Sequence, residues 1–191
     1  MPVQSVKELI EEVKDLSELM LSLAYSSVFF ESKDIAKEVM ILYNDLENKE
    51  EQLYLHLFAA SRGKPSERLI SVIDIAESSK MVGNAAKNLS EGVLQGRKMH
   101  PIIKDAIRES DESIVKCVVT DKSIMKNKNL ADLKIRTDVG IQIIAIKRES
   151  RWIFNPKKDT EIFKNDLLIG TGPRTGCKKL DKLAKGEVKK I

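Results

Sequence analysis

The sequence predicts two structural classes in one chain: an antiparallel three-helix bundle over residues 1–110, then a small α+β domain over 111–191. Three observations carry this. Apolar residues recur at three- and four-residue steps up to about residue 98, and from Ile114 onward they form short β-branched runs. The charge changes sign: residues 1–110 hold 14 Lys and Arg against 18 Asp and Glu, a net of −4, whereas residues 111–191 hold 19 against 11, a net of +8. The helical segments are also long and hold few breakers, so short turns must fold them back on one another.

In the first helix Val6, Leu9, Ile10, Val13, Leu16, Met20, Leu23 and Ala24 form one stripe, with Glu8, Glu11, Lys14 and Asp15 between them. Ser32 is placed to cap a second helix carrying Val39, Leu42, Leu46, Leu53 and Leu57. Gly63 and Pro65 mark a stop, and a third helix opens near Pro65–Ser66–Glu67 with Leu69, Ile70, Ile73, Ala76, Ala86, Leu89 and Val93. A shorter helix starts at Pro101, and the acidic stretch 109–112 is the expected junction. Beyond it, strands are expected at Val115–Val119, Val139–Ile146, Trp152–Phe154 and Asp166–Ile169. Short helices are expected around Leu130–Ile135 and Leu180–Ala184. At about 75 residues the second domain is marginal alone, which predicts a homodimer.

Composition excludes several classes. With 42% hydrophobic and 32% charged residues the chain is neither disordered nor collagenous. The apolar run Leu19–Phe30 has 12 residues, short of a membrane span, and lacks a basic leader. Cys117 and Cys177 make no disulfide framework, so a reducing, cytoplasmic setting is expected, peripheral at most to a membrane. The glycines of 170–176 follow a strand without Walker or Rossmann spacing; they read as the end of an edge strand and the start of the terminal helix. His56 and His100 have no partners at metal-ligand spacing, and His100 precedes a helix start. Glu47 and Glu51 on the second helix, with Glu50, and Asp74 and Glu77 on the third, could merge into an oxygen-rich divalent metal site. The alternative is a solvated acidic face paired with Lys49 and Lys80. The tail from Lys178 carries six lysines without interleaved aromatics, so nucleic acid is not an expected partner.

Two resemblances follow. Residues from about Ile114 to Lys185 resemble the C-terminal domain of RCK/TrkA potassium-regulatory proteins, through Leu130–Ala131–Asp132–Leu133–Lys134–Ile135–Arg136, Val139–Gly140–Ile141, Ile144–Ala145–Ile146–Lys147–Arg148, Ile153–Phe154–Asn155–Pro156 and Asp166–Leu167–Leu168–Ile169. Lys128–Asn129 and Glu149–Ser150 depart from the family's glycine turns. The first half resembles a PhoU-type helical domain, through Ile75–Ala76–Glu77–Ser78–Ser79–Lys80–Met81–Val82–Gly83–Asn84–Ala85. Lys80 and Asn84 stand where that family has acids, which removes ligands from its iron or zinc cluster.

These resemblances imply a non-enzymatic regulatory subunit of a potassium (cation) transport system, partnered by a membrane transporter or channel. It would sense a small anionic ligand, in some family members a cyclic di-nucleotide, at a dimer interface. The expected ligand residues are Ile144, Ile146 and Arg148, spaced by two on one strand face, with Ile153, Asn155 and Pro156 on the next. Alternatively the same residues form dimer core, with Arg148 pairing with Glu149 or Asp166. A phosphate-uptake regulator whose second domain only dimerises, and a metal-binding helical protein, are the other functional readings.

Overall fold

The computed structural model describes residues 4–61, 67–98, 100–110 and 113–188. Gly63, Pro65, Ser66, Asp111 and Glu112, which carry the expected helix break and part of the expected junction, lie outside them. The chain divides into two compact units, 1–98 and 99–191.

The first unit contains α1 (Val6–Phe29), α2 (Lys33–Ser61) and α3 (Glu67–Leu94), each packed against the other two. A reciprocal cap starts α1: the Ser5 N–H donates to the Glu8 carboxylate at 2.7 Å, and the Glu8 N–H donates to Ser5 Oγ at 3.3 Å. Ser32 caps α2 as its position predicts, accepting from the Ile35 N–H at 3.4 Å. The stripes read from the sequence turn inward: Leu9, Val13, Met20 and Leu23 of α1, Val39, Leu42, Leu46, Leu53 and Leu57 of α2, and Ala76, Ala86 and Val93 of α3 are buried. Ile70 departs from this pattern and stays half exposed. Burying each large aliphatic side chain contributes about 1.5–3 kcal/mol, so this stripe, more than helix propensity, holds the bundle.

The second unit begins before α4 (Pro101–Glu109), which lies against the strand Ser113–Val118, whereas the sequence puts the boundary after it. His100 caps α4 through Nδ1, which accepts from the Ile102 N–H at 3.3 Å. A four-stranded antiparallel sheet follows in the order β1-β6-β3-β4, from β1 (Ser113–Val118), β3 (Gln142–Arg148), β4 (Arg151–Phe154) and β6 (Leu167–Gly172). β2 (Lys128–Asn129) and β5 (Glu161–Ile162) pair as a separate ribbon, and α5 (Leu130–Leu133) leads into a π-helical turn, Ile135–Val139. Leu180, Leu183 and Ala184 of α6 (Arg174–Lys185) close one face of the sheet over Val115, Cys117, Ile143, Ile146 and Leu168. The loop after β1 ties down the end of α6: the Ser123 hydroxyl donates to the Leu183 carbonyl at 2.8 Å, and the Thr120 N–H to that of Ala184 at 2.9 Å.

Two expectations change here. β6 does not lie at an edge; it sits between β1 and β3, and its successive residues Leu168 and Ile169, which point to opposite faces, are both fully buried. The glycines of 170–176 serve close packing: a Cβ at Gly176, in the first turn of α6, would lie 2.4 Å from the Val139 carbonyl oxygen, and one at Gly172, the last residue of β6, would lie 2.3 Å from that of Gly140. Val139 belongs to the π-helical turn instead of a strand.

Both cysteines are buried and free. Burial pushes the Cys117 thiol up to about 12 and raises that of Cys177. The native thiols should therefore resist a disulfide reagent at pH 8, with both reacting once the chain unfolds; rapid stoichiometric labelling of the native protein would contradict this burial. A raised folded-state value stabilises the fold below the ordinary value of 9.0, and this contribution is lost as pH climbs from there toward about 12.

Candidate functional site

β3 and β4 carry most of the residues that the sequence nominates as ligand-binding. The register between β3 and β6 shifts, with Ile143 opposite Gly170 and Ala145 opposite Ile169, so Ile144 is an extra residue in the strand. Ile143 and Ile146 consequently both face the core, three positions apart. This corrects the expected row: Ile146 and Arg148 share the core-facing side, and Ile144 leaves it. Ile146 is fully buried between Leu168 and Ile153, and Ile144 is 4% exposed, so neither side chain presents surface within one copy. Ile153 packs against the core from β4.

Arg148 is engaged within its own chain. Its Nε donates to Asp166 Oδ1 at 2.9 Å and its Nη2 to Asp166 Oδ2 at 2.8 Å, the bidentate geometry that suits guanidinium and carboxylate. Nη2 also donates to the Glu161 carbonyl at 2.7 Å, and the guanidinium lies 4.3 Å from the centre of the Phe163 ring. Asp166, 1% exposed, accepts a further bond from the Phe163 N–H at 2.8 Å. The network fastens the β5–β6 connection onto β3, and hydrogen bonding to Asp166 raises the Arg148 pKa beyond its ordinary value. Of the two partners proposed from sequence, Asp166 is the one observed. The side chain of Arg148 nevertheless remains one-third exposed.

Asn155 and Pro156 lie at the far end of the same hairpin. The Asn155 N–H donates to the Ile144 carbonyl at 2.9 Å, and Asn155 takes a left-handed backbone with φ 43°, a conformation that Asn tolerates better than most residues. Four residue steps along β3 separate Ile144 from Arg148, about 13 Å at strand rise. One copy therefore does not gather Arg148 and Asn155 around a compact anion. Sequence reasoning missed an aromatic pair beside them: Trp152 and Phe154 stack at 5.9 Å, with the Lys147 ammonium 5.4 Å from the Trp152 ring centre. Their i, i+2 spacing on β4 was the available signal.

Among the described residues the carboxylates of the first unit are not gathered into one cluster. Glu47, Glu51, Asp74 and Glu77 are exposed, and among the described residues no group of three or more His, Cys, Asp or Glu is arranged to hold a metal ion. The reason is local. Glu50, 3% exposed, is met by the Lys80 ammonium at 2.6 Å and by the Tyr54 hydroxyl at 3.0 Å, so a cation from the chain itself neutralises the buried carboxylate. Burial, followed by the hydrogen bond to Glu50, pushes the Tyr54 phenol up to about 12. Asn84 likewise accepts from the Tyr43 hydroxyl at 2.7 Å. Lys49 pairs across helices with Glu12 instead of with the acidic face.

Comparison with known proteins agrees with this architecture. The PhoU domain family matches residues 10–93, and the TrkA-C domain family matches residues 114–185. Both families are regulatory rather than catalytic. The chain is 31% identical over 90 residues to "Probable potassium channel protein 2" of Methanocaldococcus jannaschii, a match covering 47% of this chain and 26% of that protein. It thus spans about a quarter of that relative's length. Among solved structures, the RCK C-terminal domain of the potassium transport protein KtrA, in complex with cyclic diadenosine monophosphate, is 30% identical; the match covers 43% of this chain and 94% of that one, with a TM-score of 0.35. The RCK C-terminal domain dimer of S. agalactiae BusR, in complex with c-di-AMP, is 19% identical, covering 38% and 95%, with a TM-score of 0.36. The helical rhythm of the first unit and the small antiparallel sheet of the second thus fall within two named families: the chain joins a PhoU domain to a TrkA-C domain.

Proposed function

We propose that this chain is a non-catalytic regulatory subunit of a potassium (cation) transport system. Its second unit senses a small anionic ligand, and its helical bundle passes the ligand state to a membrane transporter. The observation that carries this reading is the TrkA-C domain over residues 114–185, supported by likeness to a potassium channel protein. The basic charge of that half suits an anion. Among the described residues no helix is long and apolar enough to cross a membrane.

The ligand in this proposal is a di-anion such as a cyclic di-nucleotide, bound between two copies. The separation of Arg148 from Asn155 favours that arrangement over a pocket within one copy. Each copy contributes the exposed edge of Arg148 to one phosphate, while Asn155, Pro156 and Ile153 border the bases. The Arg148–Asp166 pair then positions the guanidinium, at the cost of part of its attraction for an anion.

The PhoU domain over residues 10–93 favours a second reading, regulation of phosphate uptake with the TrkA-C domain serving only to dimerise. Affinity purification of the tagged full chain from its own cells separates the two. A potassium transporter recovered with the chain is the expected result; a phosphate transporter in its place would overturn the proposal.

A further inference from the structure

We infer that the groove between α2 and α3 docks a partner helix that presents apolar side chains together with lysines or arginines about two turns away. Glu47, Glu51, Leu55 and Phe58 follow one another at steps of four, four and three residues, so they form one ridge along α2. An open groove of about 530 Å³ runs beside this ridge and is also lined by Glu50, Tyr54 and Lys80. Leu55 is 64% exposed and Phe58 80% exposed. Large apolar side chains left adjacent at a groove mark an interaction surface, and aromatic ones supply much of the binding energy at such surfaces.

Charge identifies the occupant. Lys80 is committed to Glu50 at 2.6 Å, so the field of the groove is set by the exposed carboxylates Glu47 and Glu51 on its rim. Glu77 adds to it from α3, close enough to Tyr54 to act on its ionisation. Seven residues separate Glu51 from Phe58, about 10 Å of helix rise. A docked helix therefore matches the groove when its basic side chains lie at a similar distance from its apolar anchors. An anionic lipid surface would meet the same carboxylates as like charges, which disfavours a membrane as the occupant. The inference concerns the bundle alone and stands whether or not the second unit binds an anion.

The test uses the full chain and a fluorescein-labelled, 18-residue amphipathic helix of leucine and lysine, with a leucine–glutamate helix of the same pattern as comparator, read by anisotropy. The lysine helix should bind and the glutamate helix should not. The pair Leu55→Ala with Phe58→Ala, and the pair Glu47→Gln with Glu51→Gln, should each weaken binding about tenfold or more. The charge pair should in addition flatten the salt dependence. All four side chains are exposed, so melting temperatures should hold and folding does not confound the readout. Equal binding of both helices, unchanged binding by either variant pair, or sedimentation with anionic vesicles that depends on Phe58 would overturn the inference.

Discussion

Asp166→Ala is expected to destabilise the second unit by about 3–5 kcal/mol, the range for breaking a buried ion pair by removing one partner. The substitution deletes the acceptor of three hydrogen bonds at once: Arg148 Nε, Arg148 Nη2 and the Phe163 N–H. The Phe163 N–H loses its partner, and the guanidinium must find water while still stacked on the Phe163 ring. Arg148→Ala should cost less, about 2–3 kcal/mol, because Arg148 is one-third exposed and part of its interaction is screened. Arg148→Lys keeps the charge but forfeits the two-pronged bond, so it should fall between wild type and Arg148→Ala. Chemical denaturation followed by Trp152, the chain's single tryptophan, reads this unit directly. A stability change below 1 kcal/mol for Asp166→Ala would contradict the structural role assigned to the pair.

Ile143→Asp should abolish folding of the second unit altogether. Ile143 is 8% exposed and packs in the core cluster beside Ile141 and Ile146. Its cross-strand neighbour on β6 is Gly170, which has no side chain to offer as a hydrogen-bond partner. An aspartate here combines the loss of a large aliphatic side chain, about 2–5 kcal/mol, with the burial of an unpaired carboxylate. Together these exceed what a domain of this size holds in reserve. The far-ultraviolet signal of the bundle should persist while Trp152 emission shifts to that of an unfolded chain. Native emission from the variant would mean that position 143 does not face the core.

Much of this architecture is legible in the sequence, and the exceptions have physical causes. The bundle follows from periodicity because Leu46, Leu53 and Leu57 can reach the core only from one helix face. The parity of β3 does not follow, since Ile143–Ile144–Ala145–Ile146 is apolar throughout and nothing in the pattern marks the extra residue. Arg148 had two candidate acids, and only the antiparallel pairing of β3 with β6, which brings together residues 18 apart, selects Asp166 over the adjacent Glu149. The β2–β5 ribbon escapes notice because two-residue strands are too short to show alternation. In the bundle, Lys80 was visible as a cation among acids, yet its depth at Glu50 depends on how α2 meets α3.

In the proposed function two copies of the TrkA-C domain hold a small di-anion between them. Isothermal calorimetry of the full chain with cyclic di-AMP, beside AMP, ATP and inorganic phosphate, tests it most directly. Saturable binding of one cyclic di-nucleotide per two chains, weakened by Asn155→Ala while the dimer persists, is the predicted result. A chain that stays monomeric, or a dimer that gives no heat with any of these anions, would contradict it.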